Sequence, residues 1–198
     1  MFVSFEGIDG SGKSTQARLL ADAVAAEGRE VVATREPGGT ELGERVREIL
    51  LGDGDVAPWA EAALFAAARA QLVEEVVRPS LARGAFVVCD RYVDSSLAYQ
   101  GVARGLGLDA VLDLNLPAIG GLLPDRTFLL TLPVDEAVRR STRRPDRIER
   151  EGLAFLARVD RAYREIAARF PERIVVVDAL EAPASIAELI RGELRARA

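Results

Sequence analysis

The chain reads as an α/β protein with a mostly parallel sheet, and three observations say so. Short apolar runs alternate with helical patterns along all 198 residues, the signature of repeated βαβ units. The run 85–89, Ala-Phe-Val-Val-Cys, has no polar alternation, as a strand buried on both faces requires. A glycine-rich loop joins the first apolar run to the first helical pattern, where open α/β sheets bind their ligands. Taken in order, 2–5 is the first strand and 13–27 a helix that Gly28 ends. Strand 31–34 runs into Arg35-Glu36-Pro37-Gly38-Gly39-Thr40, a turn by its proline and paired glycines. Thr40 is placed to cap a helix over 41–51, and Pro58 to open an alanine-rich helix reaching about residue 81. After strand 85–89 come helices from about 95 and 109, then strand 127–132 and a helix over 136–141. An arginine-dense stretch at 142–148 precedes a helix over 149–169. Strand 174–178 and a helix over 185–197 end the sequence. No repeat, linker or low-complexity stretch divides it, so one domain over 1–198 is expected.

Composition removes several functions. The net charge of −5 gives no basic field for a nucleic-acid backbone. No apolar run approaches the ~20 residues that cross a bilayer, and no basic-then-apolar leader precedes the first strand. Cys89 is the only cysteine, so no internal disulfide forms and a cytoplasmic setting is expected; at the end of an apolar strand it reads as a small buried hydrophobe. Histidine is absent, so any chemistry proceeds without an imidazole.

The segment Gly7-Ile8-Asp9-Gly10-Ser11-Gly12-Lys13-Ser14, followed by Thr15, matches the phosphate-binding loop GxxxxGK[ST]. Lysine and arginine together number 26, yet Lys13 is the sole lysine. A bias toward arginine accounts for the rest of the chain but not for this exception. A compact ammonium fits along β- and γ-phosphate oxygens where a planar guanidinium does not. The loop therefore predicts a P-loop nucleoside-triphosphate fold, with ATP on 7–15, Ser14 on Mg²⁺, and Asp90 as the second carboxylate that holds the metal through water. The rival role for Asp90, a helix cap, is weaker because five apolar residues lead directly into it. A guanine-specific switch needs a second lysine, which is absent, and a motor ATPase usually needs a larger chain. An alcohol acceptor would require a proton-accepting base, whereas a monophosphate is already ionised and needs only cationic donors. Arginines on the phosphate-facing loops and the lack of histidine favour a nucleoside monophosphate.

At this point the sequence resembles the thymidylate kinases over nearly its whole length. The likeness rests on Phe5-Glu6-Gly7 running through Thr15, on 34–40, on Leu64-Phe65 and Arg69, on Asp90-Arg91-Tyr92, on 95–101, and on Asp146-Arg147-Ile148-Glu149. The resemblance implies a five-stranded parallel sheet flanked by helices and the reaction ATP + dTMP → ADP + dTDP. Phe65 would stack on thymine and Arg69 would donate to a base carbonyl. Arg35 and Arg91 would bind the acceptor phosphate. Ser96 and Gln100 would lie at the base edge, Tyr99 would exclude a 2′-hydroxyl, and Asp9 would accept from the 3′-hydroxyl. Segment 139–150 resembles a lid that supplies a catalytic arginine, worth ~10³–10⁵ in rate, from Arg143, Arg144 or Arg147. The family also implies a homodimer, for which the alanine-rich helix around 60–68 is the candidate face. The alternatives are a kinase for another monophosphate or an alcohol, an ATP-dependent switch or binding module, and a nucleic-acid ATPase.

Overall fold

The computed structural model describes residues 1–141 and 146–196. Five strands, β1 (Phe2–Glu6), β2 (Val31–Arg35), β3 (Phe86–Asp90), β4 (Arg126–Thr131) and β5 (Ile174–Asp178), form one parallel sheet in the order β2-β3-β1-β4-β5. β1 is buried along its whole length, while the edge strands β2 and β5 are half-exposed. Phe2, Val87 and Cys89 face a layer containing Leu72, Val73, Val77 and Tyr92. Val3, Phe5, Phe86, Val88 and Phe128 face the other, built on Leu20, Val24, Tyr163, Ile166, Ile186 and Ile190. Helices thus cover both faces, as predicted. Cys89 is buried, and burial pushes its thiol well up, so it packs as the sequence suggested.

The helices are α1 (Lys13–Ala26), α2 (Glu41–Leu51), α3 (Pro58–Leu72), α4 (Arg78–Ala82), α5 (Val93–Ser96), α6 (Leu108–Ala118), α7 (Val134–Arg140), α8 (Leu153–Arg169) and α9 (Pro183–Arg195). Thr40 caps α2 as expected, its hydroxyl accepting from Gly43 N at 2.9 Å. Three predicted helices differ in detail. The alanine-rich one passes from α3 through a π-helical turn (Val73–Val77) into α4, and a second π segment (Leu97–Ala103) extends α5. The helix predicted over 149–169 begins at Leu153, because Gly152 takes φ +87° and separates it from a short 3₁₀ turn (Glu149–Glu151).

β1 and β3 are neighbours with Phe5 opposite Asp90, so the loops leaving their carboxyl ends meet. Arg91 continues that pairing, its N–H donating to Phe5 O at 2.9 Å. β2 ends beside them, Arg35 opposite Asp90. Three loops therefore converge on one rim.

Candidate active site

The loop after β1 curls tightly. Gly10 takes φ +83°, and a Cβ there would lie 2.1 Å from the Ala137 carbonyl oxygen, so only glycine lets the loop press against α7. Lys13 is buried at the head of α1, its Nζ donating to Ile8 O at 2.9 Å and lying 3.7 Å from Asp9 Oδ1. Burial, then the Arg91 charge, pulls its ammonium down to about 8 against the opposing pull of Asp9, Asp90 and Glu6. Ser14 Oγ donates directly to Asp90 Oδ2. Two hard oxygens side by side at the mouth of an anion-binding helix terminus suit Mg²⁺, which takes one or two protein ligands and fills the rest with phosphate and water.

Two clefts open from this rim and share a wall of Asp9, Glu36, Arg47 and Arg91. One is the phosphate side, lined by Gly10, Gly12, Lys13, Ser14, Thr15 and Arg35. The other, with about 510 Å³ of empty space, is lined by Phe65, Ser95, Tyr99 and Gln100 among others. Arg91 stands between them. It donates to Asp9 Oδ1 at 2.8 Å and to Gly7 O at 3.0 Å, and its guanidinium lies 5.4 Å over the Tyr99 ring. Asp9 is therefore flanked by two cations, which explains how a carboxylate is tolerated in this loop.

Arg91 itself takes φ +72°, a conformation costly for a side-chain-bearing residue and one that clusters at functional sites. A buried hub holds it. Glu6 accepts from Tyr92 N at 2.7 Å, Ser95 Oγ at 2.6 Å and Tyr163 OH at 2.9 Å, while Ser95 and Tyr163 each receive a hydrogen bond from Arg91. Burial and the Asp94 charge push the Glu6 carboxyl up to about 7, against the lowering by Arg91.

The remaining predicted residues separate. Phe65, Tyr99 and Gln100 line the second cleft, Tyr99 held between Phe155 and Tyr163 with ring centroids 6.2 Å from each. Arg35 lies on the phosphate side and is held by Glu44 at 2.9 Å. Arg69 and Ser96 are fully buried and line neither cleft. Arg69 donates to Glu36 Oε2 at 2.7 Å, to Tyr92 O and Ser96 Oγ, and to Asn115. Glu36 Oε1 has no hydrogen-bond partner, and burial pushes that carboxyl up to about 7 despite Arg69. Of the three lid arginines, Arg143 and Arg144 lie outside the described residues. Arg147 does not line the phosphate side; it donates to Leu50 O at 3.0 Å and Glu61 Oε2 at 2.6 Å, docking its segment onto α2 and α3.

Sequence reasoning missed Glu6, Glu36, Arg47, Arg140 and Tyr163. Arg47 follows Gly43 by one turn of α2, on the face toward the turn after β2, which was the available signal. Arg140 lies on the phosphate side, within the arginine-dense run but outside its three named candidates.

Comparison with known proteins decides the family. The thymidylate kinase family model matches residues 5–190. The chain belongs to the thymidylate kinase family. It is 50% identical over 186 residues to a thymidylate kinase of Pelotomaculum thermopropionicum, covering 91% of this chain and 86% of that protein. A thymidylate kinase of Clavibacter sepedonicus is also 50% identical, over 204 residues, covering 100% of this chain and 94% of its own. The crystal structure of the Ehrlichia chaffeensis thymidylate kinase superposes with a TM-score of 0.81 at 33% identity, covering 98% of each chain. The parallel sheet of this protein is thus the thymidylate kinase fold.

Proposed function

We propose that the clefts on either side of Asp9 and Arg91 hold two nucleotides head to head. The protein phosphorylates dTMP to dTDP with ATP, and the observation that carries this is the shared wall, where Arg91 faces both sides. The P-loop amides and Lys13 bind the ATP phosphates, and Arg91 with Arg35 neutralises the acceptor phosphate. Asp9 accepts from the sugar 3′-hydroxyl. Phe65 stacks on thymine, with Ser96, Arg69 and Gln100 toward the base edge; for Arg69 this requires exchanging one of its present buried partners. Ser14 and Asp90 would hold Mg²⁺, which would neutralise charge on the phosphates. Because the acceptor oxygen is already ionised, no residue removes a proton and transfer is direct. Catalysis is positioning and charge neutralisation, completed by an arginine from the lid. With Arg147 docked on Glu61, Arg143 and Arg144 carry the lid role.

A panel of dTMP, dUMP, dCMP, dAMP and dGMP with MgATP tests the assignment through ADP release. dTMP is expected to react fastest, and a faster purine acceptor, or no acceptor-dependent ADP, overturns it. The single buried cysteine supports a cytoplasmic setting, and among the described residues no helix is long and apolar enough to cross a membrane. We also propose a homodimer through α3, whose outer side carries exposed Trp59, Ala60, Ala63 and Ala67. A monomer in ultracentrifugation at micromolar concentration would exclude it.

A further inference from the structure

Glu61 sits one helical turn before Phe65 on α3 and is completely buried. Three donors from two other parts of the chain converge on it. Oε1 accepts from Gln100 Nε2 at 2.8 Å and Arg104 Nε at 3.2 Å; Oε2 accepts from Arg104 Nη2 at 3.2 Å and Arg147 Nη2 at 2.6 Å. Burial alone would raise its carboxyl, but the hydrogen bonds from Gln100, Arg147 and Arg104 outweigh that and hold it below its usual value. It is an ionised, acceptor-only group.

An acceptor-only neighbour removes the usual ambiguity of an amide. Gln100 must turn its NH₂ to Glu61, since the reverse orientation would set its oxygen against a carboxylate. Gln100 is 1% exposed and lines the second cleft, and no described residue donates to its Oε1. The geometry points to Glu61 as a specificity-determining positioning residue: it locks Gln100 so that an acceptor oxygen, never a donor, meets the nucleobase. This rests on the proposed function, with a pyrimidine monophosphate in that cleft. Thymine and uracil carry N3–H, which such an oxygen accepts, whereas cytosine carries a lone pair at N3, which it repels. A site whose buried polar group is left unpaired rejects the wrong ligand strongly.

The substitution Glu61→Gln tests this by inversion. In that variant Arg104 and Arg147 hold the oxygen of the introduced amide, so its NH₂ faces Gln100. Gln100 must then turn its own oxygen inward and present NH₂ to the base. The measurement is kcat/KM for dTMP, dUMP and dCMP. The dTMP/dCMP ratio is expected to fall about tenfold or more, with the dTMP/dUMP ratio unchanged. The exchange variant carrying Glu61→Gln and Gln100→Glu conserves charge and volume and again offers only an acceptor to the base. Its dTMP/dCMP ratio is expected to return toward that of the unmodified protein. If all three acceptors lose the same factor in Glu61→Gln, Glu61 is a structural tie and the inference fails. Should Glu61→Gln not fold, the exchange variant alone decides: retained discrimination against dCMP supports the inference, and preference for dCMP overturns it. An unmodified protein inactive on dTMP would refute the proposed function instead, so the two failures are distinct.

Discussion

Lys13 shows how much one side chain is constrained. It is 5% exposed, and its ammonium already contacts Ile8 O. A guanidinium spreads its donors over a wider plane and has no place to lie without displacing the loop. Lys13→Arg is therefore expected to lower kcat by about a hundredfold or more, close to Lys13→Ala, in steady-state assays with saturating ATP. Recovery of most of the rate by arginine would show that charge alone suffices. Tyr99 is constrained differently, by ring packing against Phe155 and Tyr163 beneath the Arg91 guanidinium. If its ring is the wall that excludes a 2′-hydroxyl, Tyr99→Phe keeps the preference for dTMP over the ribonucleotide, and Tyr99→Ala relaxes it about tenfold. Equal preference in both variants would place the wall elsewhere. The residues of this site were unequally legible. Lys13, Ser14 and Asp90 announce themselves by motif and by position after a strand. Phe65 and Arg69 emerge only from family resemblance, because a buried arginine and a cleft-lining phenylalanine share the periodicity of ordinary helix residues. Glu6 and Glu36 lie inside the matched motifs but carried no signal of their roles, since which carboxylates become buried depends on strands meeting far apart in sequence.

At the scale of elements, the apolar runs located all five strands to within a residue; for β1, β3 and β4 burial on both faces leaves little freedom in composition, and the half-exposed edges β2 and β5 still carry runs of valine. Helix interiors were legible too, but not their interruptions. The π turns at Val73–Val77 and Leu97–Ala103 contain ordinary helix formers, so no propensity marks them. The break at Gly152 had a marker, a glycine, that a strong helical pattern on both sides masked. The contact of the phosphate loop with α7 is a further element-level constraint. Gly10 is the point of closest approach, so Gly10→Ala combines an unfavourable positive φ with a collision against the backbone of Ala137. Scanning calorimetry is expected to show a melting temperature lower by about 5 °C or more, together with weaker ATP binding. An unchanged melting temperature would mean that α7 yields freely, and the rigidity assigned to this contact would be wrong.

For the molecule as a whole, the order β2-β3-β1-β4-β5 is what no periodicity reveals, and it alone brings Glu6, Glu36, Lys13 and Arg91 to one rim. Gathering buried charges there has a cost that can be read from pH. Glu6 and Glu36 are raised from 4.5 to about 7, so between those values the folded chain holds protons that the unfolded chain has released. Stability from these two groups accordingly falls as pH rises from about 5 to 7. Lys13 is lowered from 10.5 to about 8, so its own contribution rises above pH 8, opposed there by the Cys89 thiol and the Tyr99 and Tyr163 phenols, which burial pushes up. Glu61 and Glu136 are shifted the opposite way to the other carboxyls, and their contribution is lost only below about pH 4.5. Near pH 7 the two carboxyls have given up most of that contribution, while Lys13 is still mostly an ammonium. Urea denaturation is expected to give a higher midpoint at pH 5.5 than at pH 7.5, by an amount on the order of a few kcal/mol in unfolding free energy. Glu6→Gln with Glu36→Gln should flatten this fall between pH 5.5 and pH 7.5, while Lys13→Met should leave it in place. A midpoint that peaks at pH 7.5 in the unmodified protein would mean that the rim charges are compensated within the fold, and that stability is not traded for the working state of the site.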